Sequence, residues 1–373
     1  MVLDVDRRQA LAYRIAVQGL HRDSAAAAEL AVLDLGVQET NVGSARVALA
    51  ARLAEDGGGP MADPAFVLLW SFRGAPHLHR AGDVAGLVSA LWPAGDADAM
   101  ARLAAERAPL KAAGVGGLAA FATAAEAMRA VVTGPMTKGE VSAGVTARLP
   151  DEYSYRCRGC RATHVYAGLF QLVGLFAGVR LVPDSSPTIL APLDDRPPIP
   201  PAASGVGGIL GAYLRLQGPA TLADAAGYLG TKQAAVRSAW PDDLAEVRVD
   251  GRRTWIPGAQ VDALRDPPAA DNVVRLLPPS DPYLQGRDRD LLVPDKARQK
   301  AVWRILANPG AVLADGDIAG VWRARLAGTA RLEVTVKPFE AMPASTRRGV
   351  GAEAGRVAAV RGVDDVRVRY EDL

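Results

Sequence analysis

Apolar positions along this chain recur mostly at helical spacing, in three blocks that each end in an alternating, strand-like stretch. In the first block, Arg7 to Leu20 puts Leu11 and Ile15 on one face and predicts a helix. Asp23-Ser24 reads as the cap of a second helix that carries Leu30 and Leu33 and ends at Gly36. Ser44 to Glu55 reads as a third, broken by Gly57-Gly58-Gly59-Pro60. The run from Ala65 to Arg80 then predicts two strands around a turn at Gly74.

Three short helices and a hairpin describe a winged helix, and the plan recurs. The second block reads as helices over Ala119 to Thr133, Thr137 to Leu149 and Thr163 to Val179, with a wing from Arg180 to Leu193 around Pro183-Asp184-Ser185. The third starts near Val206, with helices ending at Gly218, running from Thr221 to Leu229, and covering Thr231 to Ala239. Its wing, Glu246 to Ile256, alternates around Asp250-Gly251, the strongest short hairpin signal. The second and third blocks share a punctuation mark. Gly134-Pro135-Met136-Thr137-Lys138-Gly139-Glu140 is matched 84 residues later by Gly218-Pro219-Ala220-Thr221-Leu222-Ala223-Asp224. In each, Gly-Pro ends one helix, and Thr with a carboxylate three residues on forms a capping box for the next. Asp194 to Ala203 is Pro-rich and reads as an extended linker.

After residue 270 the texture changes. Val273 to Leu277, Val312 to Ala314, Ile318 to Arg325 and Arg331 to Lys337 alternate as strands of a small antiparallel sheet or barrel, and a helix over Ala344 to Val360 and a strand over Val363 to Arg369 follow. The expected class is α+β: winged helices at residues 1–95, 96–200 and 201–268, then a C-terminal β-barrel with terminal helix and strand at 269–373.

Composition narrows the function classes. The 373 residues, 49% hydrophobic and 23% charged, are those of a soluble globular protein of two or three domains. The longest apolar run, Ala167 to Val179, falls short of the ~20 residues that span a bilayer. Two cysteines and an N-terminus charged at Asp4, Asp6, Arg7 and Arg8 predict a reducing, cytoplasmic setting without a secretory leader. A net charge of +2 leaves any nucleic-acid case to local distribution. Three tracts lack acidic residues: Pro64 to Gly82 with Arg73, His77, His79 and Arg80; Tyr153 to Pro183 with Arg156, Arg158, Arg161, His164 and Arg180; and Lys296 to Ala314 with Arg298, Lys300 and Arg304. Each is a basic strip suited to phosphate contact, with solvated surface arginine as the plain alternative. Cys157, Cys160 and His164 have the spacing of three zinc ligands but no fourth nearby, and free thiols are the competing reading. No cofactor is expected. The connection Gln38-Glu39-Thr40-Asn41 holds good helix caps, yet an amide there could also orient a water and a carboxylate could deprotonate one.

Several stretches together resemble a known family. They are Leu35-Gly36-Val37-Gln38, Leu69 to His77, Cys160-Arg161-Ala162-Thr163-His164-Val165, the Gly218 to Asp224 turn, Leu276-Leu277-Pro278-Pro279-Ser280-Asp281-Pro282-Tyr283, Asn308 to Gly316, and Gly320-Val321-Trp322-Arg323. The resemblance is to the AlkZ-like and YcaQ-like winged-helix DNA glycosylases. It implies three tandem winged helices and a C-terminal barrel in a C shape around duplex DNA, and water-mediated cleavage of the N-glycosidic bond of alkylated purines. The family's catalytic loop carries Gln-apolar-Gln or Gln-apolar-Asp. Gln38 matches the first position, but Glu39 stands at the apolar one and Thr40 at the second polar one. The resulting expectation is a monomeric, monofunctional glycosylase for bulky or crosslinked N7-alkylpurines, serving self-resistance to a genotoxic natural product. Its catalytic set is Gln38, Thr40 and Glu39, and Arg73, His77, Arg161, His164, Arg252 and Arg253 contact DNA. The alternative is a non-catalytic winged-helix protein that binds DNA or a lesion.

Overall fold

Both Gly-Pro-x-Thr segments fold as their local chemistry dictates. Thr137 Oγ1 accepts from the Glu140 amide at 3.2 Å, and Glu140 returns a carboxylate oxygen to the Thr137 amide at 2.8 Å, opening the helix Lys138–Thr146. Thr221 and Asp224 repeat this at 3.2 and 2.9 Å before the helix Leu222–Leu229. In each copy the residue before the capping threonine pairs with the returning strand of the following hairpin, Met136 with Leu190 and Ala220 with Trp255. A local cap thus sits beside a long-range strand pairing in both.

The computed structural model describes residues 2–55, 61–328 and 330–372, which divide into two compact units. The first comprises residues 1–63, 210–225 and 241–373. Its helix Arg7–Val17 is capped by Asp6, which accepts from the Gln9 amide at 2.7 Å. The strand Leu3–Val5 runs parallel to Leu244–Val249, which pairs antiparallel with Arg252–Pro257. Asp250 and Gly251 connect those two strands with φ of 48° and 79°, the paired positive values of a tight two-residue hairpin turn. The expected second helix is absent: residues 24–36 form two short 3-10 turns, Ala27–Glu29 and Ala31–Asp34. Leu30 between them is extended, and Ser24 donates its hydroxyl to the Ala26 carbonyl instead of capping a helix. The third helix runs over Ser44–Ala50; its expected breaker, Gly57 to Pro60, lies outside the described residues.

The strands after residue 270 lie where alternation put them, but the expected barrel does not form. Val274–Leu277, Gly310–Ala314, Asp317–Ala327, Arg331–Pro338 and Asp365–Tyr370 make one sheet in that order, and among the described residues no pairing joins its two edge strands. Closure requires the two edge strands to pair, and here they do not, while both faces of the sheet are covered. Helix Ala344–Val360 packs Val350, Ala354 and Val357 against Leu276, Val312, Leu332 and Val334 on one face. On the other, Leu11, Ile15, Tyr283 and Leu292 meet Leu277, Ala311, Leu313 and Val321.

The second unit comprises residues 64–209 and 226–240. Its hairpin pairs Phe66–Trp70 with Pro76–Arg80, Leu68 opposite Leu78. Helix Gly117–Val131 buries Phe121 and Met128, and Trp92, Phe121 and Phe176 cluster with ring centroids 4.9–6.3 Å apart. The single helix expected over Thr163 to Val179 is instead a strand, Thr163–Val165, followed by the helix Ala167–Leu172. Pairing with Ser154–Arg156 and a bond from the Val165 amide to Thr146 Oγ1 (2.9 Å) hold the β-branched Thr163 and Val165 extended. The third block's last helix likewise shortens to Gln233–Val236 and a 3-10 turn, Arg237–Ala239. The Pro-rich segment read as an extended linker has no regular structure and lies within this unit, where Arg196 anchors it to the carbonyls of Val132 (3.0 Å) and Ala177 (2.7 Å). Among the described residues no single helix is long and apolar enough to cross a membrane.

Candidate active-site loop

The loop that follows the short strand Val37–Gln38 is built around the start of helix Ser44–Ala50. Glu39 folds over that start: its carboxylate accepts from the amides of Gly43 and Ala45, both at 2.6 Å, and from Ser44 Oγ at 3.1 Å. Ser44 Oγ in turn accepts from the Thr40 amide at 2.8 Å and the Asn41 amide at 3.3 Å. Burial pushes the Glu39 carboxyl above its ordinary range even though these donors and Arg46 pull it down. Glu39 thereby holds the loop over the start of the helix.

This clamp leaves Gln38 and Thr40 together. Gln38 is half-buried, Thr40 is exposed, and Gln38 Nε2 lies 3.4 Å from Thr40 Oγ1. The Gln38 oxygen accepts from Gln285 Nε2 at 2.8 Å, and the same Gln285 nitrogen donates to the Ser280 carbonyl at 3.1 Å. A backbone carbonyl accepts only from the NH₂ side of an amide, so Ser280 fixes which way Gln285 faces and hence which atom of Gln38 it meets.

Gln285 is held from both sides of its own segment. It ends the 3-10 turn Pro282–Gln285, which Asp281 caps through the Tyr283 amide at 2.9 Å. Asp281 also receives both terminal nitrogens of Arg52, at 2.7 and 2.9 Å, with both side chains fully buried. Arg52 reaches the carbonyls of Ala48 (2.7 Å) and Gln18 (2.9 Å) as well, tying the turn to the helix that follows the loop. Three residues beyond Gln285, Asp288 takes Arg14 in the same bidentate manner at 2.5 and 3.1 Å. Burial acts to lower the basicity of Arg14, but Asp288 beside it overrides this and holds it above its usual value. Two buried Arg–Asp pairs therefore bracket the amide that touches Gln38.

The six side chains assigned to DNA contact divide. Arg73 donates to the Tyr228 carbonyl and lies over the Tyr228 ring, 5.0 Å from its centre. His77 is 2% exposed, with Nδ1 2.9 Å from the Ala75 carbonyl and its ring edge-on to Phe72 at 5.6 Å. Burial first, then His79 and Arg73, keep His77 well below its usual value, so it is neutral. Both side chains thus engage groups of their own unit, His77 buried and Arg73 half-buried. Arg161 is exposed, and His164 is half-buried with Nε2 2.8 Å from Cys160 Sγ. Arg252 and Arg253 project from the Asp250-Gly251 hairpin, about half and two-thirds exposed, paired with Asp224 at 3.1 Å and Glu246 at 2.7 Å.

The buried histidines make stability depend on pH. His79, 2.9 Å from Ser71 Oγ, is lowered to about 3, by burial first and Arg80 second. A base with a depressed folded-state value contributes its full stability above the unfolded value of about 6.5 and loses it as pH falls toward the folded one. The unfolding free energy is expected to drop between pH 6.5 and about 5 by up to ~1.4 kcal/mol per pH unit for His79, with His77 acting in the same direction. Urea melts across that range check this, and His79→Gln should flatten the slope.

Sequence reasoning missed Gln285. Its signal was the Ser280-Asp281-Pro282-Tyr283 stretch itself, in which an aspartate before Pro caps a turn whose last residue is Gln285.

A family model described as DNA glycosylase AlkZ-like matches residues 32–360. No curated protein sequence matches the chain. Among solved structures, that of the Streptomyces sahachiroi DNA glycosylase AlkZ is 21% identical, covers 99% of this chain and 100% of its own, and superposes with a TM-score of 0.74. The mixed α+β fold is shared with that structure.

Proposed function

Because the chain belongs to the AlkZ-like DNA glycosylase family, we propose that it is a monofunctional DNA glycosylase that hydrolyses the N-glycosidic bond of bulky or crosslinked N7-alkylpurines in duplex DNA, in the service of self-resistance to a genotoxic natural product. The observation that carries this reading is the hydrogen-bonded set Gln285, Gln38 and Thr40, the last two on a loop clamped by Glu39. Alkylation at N7 makes the purine a cationic leaving group. The C1′–N9 electron pair departs with the base and neutralises it, water adds at C1′, and the water's proton passes to solvent. Such a reaction asks little of a general base and much of water placement. Among the described residues Gln38 Oε1 accepts from Gln285, which leaves its second lone pair for a water hydrogen, with Thr40 Oγ1 as another acceptor beside it. Gln38 orients the water and Thr40 assists.

The three helix–hairpin blocks, at residues 1–95, 96–200 and 201–268, are read as tandem winged helices. In the second and third, support comes from the strand pairing beside the capping threonine, Met136 with Leu190 and Ala220 with Trp255. Residues 269–373 are read as the C-terminal sheet-and-helix element, packed on the helix Arg7–Val17 within the first unit. Exposed Arg161, Arg252 and Arg253 are the proposed contacts to duplex phosphates.

Thr40, a poorer base than an amide or carboxylate partner, favours the second reading, a binder without catalysis. Duplexes carrying one N7-methylguanine or one bulky N7 adduct, assayed for abasic sites by alkaline strand cleavage alongside a gel shift, separate the two. Strand cleavage supports the enzyme. Binding without cleavage of any adduct leaves only the binder.

A further inference from the structure

A cluster in the second unit takes no part in the proposed chemistry. The ribbon of Ser154–Arg156 and Thr163–Val165 turns through Cys157-Arg158-Gly159-Cys160-Arg161-Ala162. The Cys157 amide donates to the Ala162 carbonyl at 2.8 Å, closing the loop, and Arg161 takes the left-handed conformation with φ 57°. The same loop brings the amides of Gly159 and Cys160 to the Cys157 sulfur. His164 follows on the returning strand, opposite Tyr155, with its ring 6.4 Å from that of Tyr155. The result is a compact set of soft donors: the ligand atoms of Cys157, Cys160 and His164 all lie within 4.8 Å of one another.

We propose that Cys157, Cys160 and His164 bind one zinc ion, with solvent as the fourth ligand. Tetrahedral zinc with bonds of about 2.3 Å to sulfur and 2.0–2.1 Å to nitrogen sets its ligand atoms roughly 3.5–3.8 Å apart. Cys160 Sγ and His164 Nε2, now at hydrogen-bond distance (2.8 Å), need to part by under an ångström or so to admit it. The spacing, two residues between the cysteines and three more before the histidine, lies within the ranges used by small zinc sites. Charge is matched as well. Two thiolates cancel the dication, leaving a neutral centre among Arg156, Arg158 and Arg161, in a tract without a single acidic side chain from Tyr153 to Pro183. Binding expels the two thiol protons to solvent, so affinity rises with pH. Among the described residues no fourth histidine, cysteine or carboxylate joins the cluster, which leaves the last position open. Bound zinc fixes the ribbon on which Arg156, Arg158 and Arg161 are mounted.

The test uses the full chain, reduced, stripped with a chelator and titrated with zinc against a colorimetric competitor, then with cobalt(II) as a spectroscopic substitute. One zinc per chain is expected, and cobalt should give the near-ultraviolet charge-transfer band of thiolate ligation. Cys160→Ser and His164→Ala should each weaken binding by more than the ~10–100-fold typical of losing an outer-shell partner. Arg158→Ala, in the same loop but outside the ligand set, should not. No stoichiometric zinc binding, cobalt spectra without a thiolate band, or a Cys157–Cys160 disulfide that persists in reductant would each overturn the proposal.

Discussion

Replacing Gln38 with alanine is expected to slow single-turnover release of an N7-alkylated purine by at least about 100-fold while leaving duplex affinity within a few-fold of the parent. Loss of one positioned hydrogen-bonding group at a reacting centre costs ~10²–10³ in rate. Here that group is the acceptor proposed to aim the water. Folding should be spared, because Gln38 is only half-buried and its side chain meets Gln285 and Thr40 rather than an apolar core. Gln285 keeps its bond to Ser280 in the variant, so no buried donor is stranded. Gln285→Ala acts one step back: the water acceptor remains but its amide is no longer oriented, and a loss of roughly 10- to 100-fold is expected from misplacement alone. Quenched single-turnover reactions with chromatography of the freed base, beside gel shifts, read both variants. A Gln38→Ala rate equal to the parent's would remove the loop from the chemistry.

The second large effect is on stability. Arg52→Ala should destabilise the chain by about 3–5 kcal/mol, since it strands the fully buried Asp281 carboxylate. Asp281→Ala should cost a similar amount from the other side, and it also removes the cap of the Pro282–Gln285 turn. A well-packed apolar replacement of both partners should recover much of the loss, because it strands neither charge. Urea unfolding measures all three. The pair also links stability to the candidate site: the Asp281 variant, if assayed where it is still folded, should lose excision rate as Gln285 loses its anchor. An unfolding free energy unchanged in Arg52→Ala would mean that water solvates the pair.

Much of the fold was legible where the deciding forces are local. Thr137 with Glu140, Thr221 with Asp224, and Asp250-Gly251 specify their caps and turn within four residues. The strands after residue 270 announced themselves by alternation, and their edges fall within a few residues of expectation. Where the reading failed, partners distant in sequence had decided the matter. Thr163 to Val165 looked helical until its pairing with Ser154–Arg156 is known. That the sheet stays open and packs on both faces is decided by which strands pair and what meets them, which alternation within single strands does not carry. His77 and His79 sit at alternate positions of one strand, and sequence could not tell that both side chains end up buried. At the candidate site, Gln38 and Thr40 were visible through the resemblance, whereas Glu39 became a clamp only once the path of the loop over Ser44–Ala50 was known. Gln285 lay hidden for the plainest reason: it is 247 residues from the side chain it orients.

If water is aimed by a neutral amide and a hydroxyl, the rate of chemistry should not titrate. Gln38, Thr40 and Gln285 have no ionisation near neutrality, and the one carboxylate in the loop is tied to amides and Ser44. The most direct measurement is therefore the single-turnover rate of release of an N7-alkylpurine from duplex DNA by the unaltered protein, followed from pH 6 to 9. The expected result is release of the free base at a rate that stays flat across the range. No release, or a rate that climbs with the ionisation of a single group as a carboxylate base would require, would contradict it.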